Sequence, residues 1–118
     1  MKYTITIMLA IVIFGYSQIT EAKDTYASET IATGARLAFD RNKGNCLACH
    51  KIEGGELAGD SGPPLIFMKS RFPDKMKLRN QIWNASAKNP LSVMPPFGRH
   101  GILTEQEIDQ VVAFIHSL

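Results

Sequence analysis

A chain of 118 residues with a formal net charge of +2 holds one domain at most, and so small a charge offers no footing for nucleic acid. Its two cysteines, Cys46 and Cys49, fall within one short motif, which excludes a scaffold stapled by several disulfides.

In chain order, Lys2 supplies a positive start, Ile5 to Phe14 is an apolar run broken only by Thr6, and Thr20-Glu21-Ala22 offers small residues where a signal peptidase cuts. The pattern predicts a signal peptide over residues 1–22, a mature domain over 23–118 and export to the periplasm. An uncleaved anchor is the rival reading, but a run of about ten residues is half the roughly 20 that a spanning helix needs. Removing residues 1–22 takes away Lys2 and Glu21, so the net charge stays at +2.

Ser28 is placed to cap a helix over 29–39 with Ile31, Ala35, Leu37 and Ala38 on its buried side. Gly34, costly in mid-helix, is read as the mark of a close crossing with another helix, the alternative being a tolerated glycine with no packing role. The polar turn Arg41 to Asn45 then leads into Cys46-Leu47-Ala48-Cys49-His50. Two cysteines separated by two residues and followed at once by histidine form the attachment signature of a c-type haem. Both sulfurs reach one edge of the porphyrin to form thioethers with its vinyl groups, and His50 offers a nitrogen to the iron. A thioredoxin-type pair is disfavoured because no βαβ pattern surrounds the motif, and zinc because only His100 and His116 remain as nitrogen ligands. A buried porphyrin also supplies apolar bulk to a domain too small for a large core and lacking a disulfide.

Lys51 to Gly62, with four glycines, is a loop. It ends in Gly62-Pro63-Pro64-Leu65, where paired prolines stiffen the backbone and a carbonyl is available to the free N–H of His50. Lys69, Arg71, Lys75, Lys77 and Arg79 face only Asp74 across the next stretch, a solvated face or a patch that orients a docking partner. A helix over 75–87 is expected, with Leu78, Ile82 and Ala85 buried and Trp83 packed against the porphyrin. Asn89-Pro90 closes it. Val93-Met94-Pro95-Pro96-Phe97-Gly98 is a stiff apolar loop, and Met94 is the candidate distal ligand, in competition with Met68, Met76, His100 and His116. Thr104 to Glu107 reads as a capping box for a last helix burying Ile108, Val111, Val112, Ile115 and Leu118, the partner of the first helix across Gly34. His116 is read as a helix-end residue favoured by the dipole.

The order of these features resembles a class I cytochrome c, an all-α fold whose N- and C-terminal helices cross around one covalently attached haem. The chain resembles the SoxX family more closely still, through Lys43-Gly44-Asn45 and the haem motif, Gly62-Pro63-Pro64-Leu65, Arg71-Phe72-Pro73-Asp74, Ile82-Trp83, Asn89-Pro90, Val93 to His100 and Ile102 to Glu105. The resemblance implies Cys46 and Cys49 as thioether residues, His50 and Met94 as axial ligands, and Pro63 as the carbonyl partner of His50.

The family is the monohaem subunit of the SoxAX complex, an L-cysteine S-thiosulfotransferase. It implies a heterodimer with a SoxA-like cytochrome, which conjugates thiosulfate to a cysteine of a carrier protein while this subunit passes the released electrons to a small cytochrome c. With both axial positions filled, the chain has no catalytic substrate centre of its own. A free periplasmic shuttle serving an oxidase or another dehydrogenase is the alternative, and a haem-based sensor with a readily displaced distal ligand is a third reading.

Overall fold

The computed structural model describes Glu21 and residues 23–118. The predicted signal segment, residues 1–22, lies outside the described residues except for Glu21. Among the described residues four helices follow in order: α1 (23–39), α2 (Met68–Arg71), α3 (Lys75–Trp83) and α4 (Glu105–Ser117), with single 3-10 turns at Cys46–Ala48 and Ala85–Ala87. Among the described residues there is no strand, and no helix is long and apolar enough to cross a membrane.

The closing helix is the hub. Thr104 Oγ1 accepts the Glu107 N–H at 3.2 Å while Glu107 Oε2 accepts the Thr104 N–H at 2.9 Å, so the predicted capping box satisfies two otherwise orphaned donors. Ile108, Val111, Val112 and Ile115 are buried as the spacing requires, and Phe114 joins them. Each such aliphatic side chain contributes roughly 1.5–3 kcal/mol on burial.

α1 crosses α4 at Gly34, where a Cβ would strike the backbone carbonyl of Gln110 and press on Phe114. Beside this crossing the Phe39 and Phe114 rings meet edge to face, 5.8 Å between centroids. The helix is longer than expected at its start. Ser28 does not cap it; its hydroxyl donates to the Thr25 carbonyl at 2.8 Å, as Thr25 does to Glu21 and Thr30 to Tyr26. A serine that bonds back within a helix has the same local sequence as one that caps it.

The end of α4 is tied to α2. Met68 N–H donates to the Leu118 carbonyl at 2.8 Å, and His116 Nε2 donates to the Phe72 carbonyl at 3.1 Å. His116 does stand in the last turn of α4, as expected, and it is also a buried tether, 6% exposed.

α3 begins at Asp74, whose carboxylate accepts the Met76 N–H at 2.9 Å, and ends at Trp83 instead of Ala87. Asn84 turns extended (φ −155°), and the Trp83 carbonyl accepts N–H bonds from Gly98 and Arg99, each at 3.2 Å, in place of a helical donor. The basic segment is divided by the fold. Arg79 reaches across to α4, with Nε 2.6 Å from Asp109 and Nη2 3.3 Å from Glu105, while Lys69, Lys75 and Lys77 stay exposed.

Candidate haem site

The turn that carries the cysteines is set by the polar residues before it. Asp40 accepts the N–H groups of Lys43 and Asn45 at 3.1 and 2.9 Å, and Asn45 adopts a left-handed conformation (φ 46°) that asparagine tolerates. Cys49 and His50 then both donate their N–H to the Cys46 carbonyl, at 3.2 and 2.9 Å, which gathers the two sulfurs and the imidazole into little more than one turn.

The glycine-rich loop folds back under this turn through Gly59 to Leu47 and Gly62 to Cys49, both at 2.8 Å. That return brings the Pro63 carbonyl to His50, whose Nδ1–H donates to it at 2.7 Å. The bond fixes the tautomer, leaves Nε2 as the ring nitrogen available to a metal and raises its basicity.

Cys46, Cys49 and His50 line a cavity of about 700 Å³. Leu65 lines the same cavity, with Leu78 and Ile82 of α3, Val111 and Ile115 of α4, and Phe97 and Leu103 between them. An apolar chamber with two thiols and one imidazole in its wall fits a macrocycle joined by thioethers and held by histidine. Burial pushes the Cys46 thiol up to about 11, so it keeps its proton near neutrality and lacks the activated thiolate of a redox pair.

The competitors for the distal position separate clearly. Met76 is 57% exposed, His100 is exposed, His116 is held by Phe72, and none of the three lines the cavity. Met68 and Met94 both line it. Met68 is a core residue, 2% exposed, whose sulfur accepts a hydrogen bond from Arg71 Nη1 at 3.3 Å. Met94 stands in the stiff loop with its N–H bonded to Ser92 Oγ at 3.3 Å.

Trp83 does not line the cavity, contrary to expectation. Its indole lies against Gly98, where a Cβ would collide with the ring, and beneath the Arg79 guanidinium at 5.4 Å. In the sequence Arg71 belongs to a basic run and to the Arg71-Phe72-Pro73-Asp74 segment, neither of which assigns it a role at the site. In the fold it lines the cavity and Nη1 donates to the Pro64 carbonyl at 2.8 Å, next to the carbonyl that holds His50.

The family model described as cytochrome C oxidase, cbb3-type, subunit III matches residues 29–115. The chain belongs to this cytochrome family. Among solved structures the cytochrome is similar to the crystal structure of SoxXA from P. pantotrophus, with a TM-score of 0.66 and 29% identity over 73% of this chain and 79% of that one. It is also 39% identical over 75 residues to an uncharacterized lipoprotein of Aquifex aeolicus (strain VF5), a match covering 63% of this chain and 36% of that protein. The cytochrome thus spans little more than a third of that relative's length. It is a SoxX-like, all-α monohaem cytochrome with a covalently bound haem c, and the Cys46 to His50 motif has the spacing for its attachment.

Proposed function

We propose that this cytochrome is the electron-transfer subunit of a SoxAX-type L-cysteine S-thiosulfotransferase, exported to the periplasm with residues 1–22 removed. The observation that carries the reading is the gathering of Cys46, Cys49, His50 and Met94 on one apolar cavity, a set that would attach haem c through two thioethers and hold its metal with one imidazole and one thioether. When bound there, haem c supplies a one-electron couple. Cys46 and Cys49 would fasten the group covalently, His50 and Met94 would hold its metal, Pro63 would orient His50, and the apolar wall would limit water around it.

With His50 and Met94 both holding the metal, thiosulfate would have no open position on this chain, and its conjugation to a carrier-protein cysteine would belong to a haem-bearing, SoxA-like partner. The rim of the cavity supports a partner at that point. Leu91 and Val93 are 89% and 81% exposed, and with Ile102 they line its outer part. Exposed apolar groups gathered in this way mark an interaction surface. Lys69, Lys75 and Lys77 adjust the encounter rate at most.

Co-expression with a SoxA-like protein tests the proposal. The pair is expected to co-purify and to reduce a small cytochrome c in the presence of thiosulfate and carrier protein, while the isolated chain exchanges single electrons without thiosulfate-dependent activity. Thiosulfate turnover by the chain alone, or a free monomer in the presence of the partner, contradicts it and favours a shuttle to an oxidase or another dehydrogenase. Intact mass of the exported protein decides the mature start. A mass of residues 23–118 plus one haem is expected, and one of residues 1–118 plus haem overturns the cleavage.

A further inference from the structure

We infer that Trp83 is a positioning residue for the distal ligand, seating the loop that carries Met94 and so setting how readily that thioether leaves its place. The inference rests on the assignment of Met94 as distal ligand.

Three independent contacts converge on Trp83. Its carbonyl accepts two N–H groups of the loop, from Gly98 and Arg99, both at 3.2 Å. Its indole occupies the space that a side chain at residue 98 would need. Arg79 lies over the ring, 5.4 Å from its centroid, and is itself held to α4 by Asp109 and Glu105. The loop is thus clamped from α3, and α3 from α4.

The sequence between clamp and ligand stiffens the coupling. Between Met94 and Gly98 stand Pro95, Pro96 and Phe97, and the two prolines have fixed φ angles, so a shift of Gly98 has fewer backbone torsions in which to be absorbed before it reaches Met94. Phe97 is buried, and its carbonyl accepts from Ile102 and Leu103 at 2.9 and 3.1 Å, so the segment moves as one piece. At the other end Met94 N–H is bonded only to the nearby Ser92 hydroxyl, and Leu91 N–H to Asn89 Oδ1, both local turns. Release of Met94 is therefore a local opening whose free energy is concentrated at the Trp83 end.

Imidazole binding to the ferric holoprotein reads this opening, because the incoming base must wait for the methionine to leave. Stopped-flow rates are compared for the wild type, Met94→Ala, Trp83→Leu, Arg79→Gln and, as a core control that leaves the Trp83 contacts named above in place, Val112→Ala. Met94→Ala is expected to bind fast, with no opening step. Trp83→Leu is expected to bind about tenfold faster than the wild type while keeping its near-infrared methionine-to-iron band, and Arg79→Gln about fivefold faster through loss of the cation over the ring. Val112→Ala is expected to bind at the wild-type rate, which separates loop seating from general loss of stability. If Trp83→Leu does not fold, Gly98→Ala carries the same expectation, since its Cβ lifts the loop off the indole. Wild-type rates in both Trp83→Leu and Gly98→Ala, with Met94→Ala fast, overturn the inference and leave the ligand assignment standing. A wild type as fast as Met94→Ala overturns both, because then no methionine is being displaced.

Discussion

His50 donates its Nδ1 hydrogen to the carbonyl oxygen of Pro63 at 2.7 Å, across a loop of thirteen positions. A backbone acceptor on a two-proline segment is a fixed one, and on the proposed ligation by His50 it would make the imidazole more basic and favour the oxidised metal. Pro63→Ala keeps the carbonyl but loosens it. The expected outcome is an intact covalent haem with a higher reduction potential, measured by spectroelectrochemical titration. An unchanged potential means that the bond survives without the proline.

Gly34 and Gln110 are in contact at the crossing of α1 and α4, with no room for a methyl group between them. Gly34→Ala must push the helices apart or bend one of them, a form of overpacking that costs about 1–3 kcal/mol. A lowered denaturant midpoint with an unaltered visible spectrum checks this. An equal or raised midpoint, as alanine gives in an uncrowded helix, contradicts the close crossing.

The haem turn is also fastened to α4 by Lys43, whose Nζ lies 2.7 Å from Glu107 Oε1. The Lys43 ammonium first, and then the Thr104 N–H, hold the Glu107 carboxyl below its usual range. A carboxylate depressed in the folded state stabilises it above the ordinary value of about 4.3 and loses that contribution as pH falls through the lower folded value. Stability should therefore fall below about pH 4 by a smaller amount in Glu107→Gln than in the wild type. The pair is partly exposed, so the difference should stay under about 1 kcal/mol. Denaturant midpoints across that range measure it, and parallel curves for the two proteins refute the linkage.

The parts of this molecule legible in its sequence are those set by short-range chemistry. The haem motif, the Thr104 to Glu107 capping box and the α4 stripe each lie within a few turns, and periodicity or spacing reports them directly. Gly34 announced a crossing through its cost in a helix. What was not legible depends on residues far apart in the chain. Trp83 looked like a wall of the cavity, yet the Gly98 and Arg99 amides end α3 at its carbonyl and draw the indole onto Gly98. His116 was legible as a helix-end residue but its bond to the Phe72 carbonyl was not, and Arg79 looked like one charge among five until α4 supplied Asp109 and Glu105. Ser28 failed for the opposite reason, since the same hydroxyl caps or back-bonds with no change of neighbours.

The distal ligand bears on the whole account, because a closed axial site makes this chain a carrier of electrons instead of a substrate-binding centre. The ferric protein's weak near-infrared methionine-to-iron band, recorded for the wild type and for Met94→Ala, tests it most directly. The wild type should show the band, and the variant should lose it, keep its haem through Cys46 and Cys49, fall in potential and bind carbon monoxide quickly when reduced. A band that persists in Met94→Ala assigns the sixth position to another thioether, Met68 being the one that shares the cavity. A wild type with no band contradicts methionine ligation altogether.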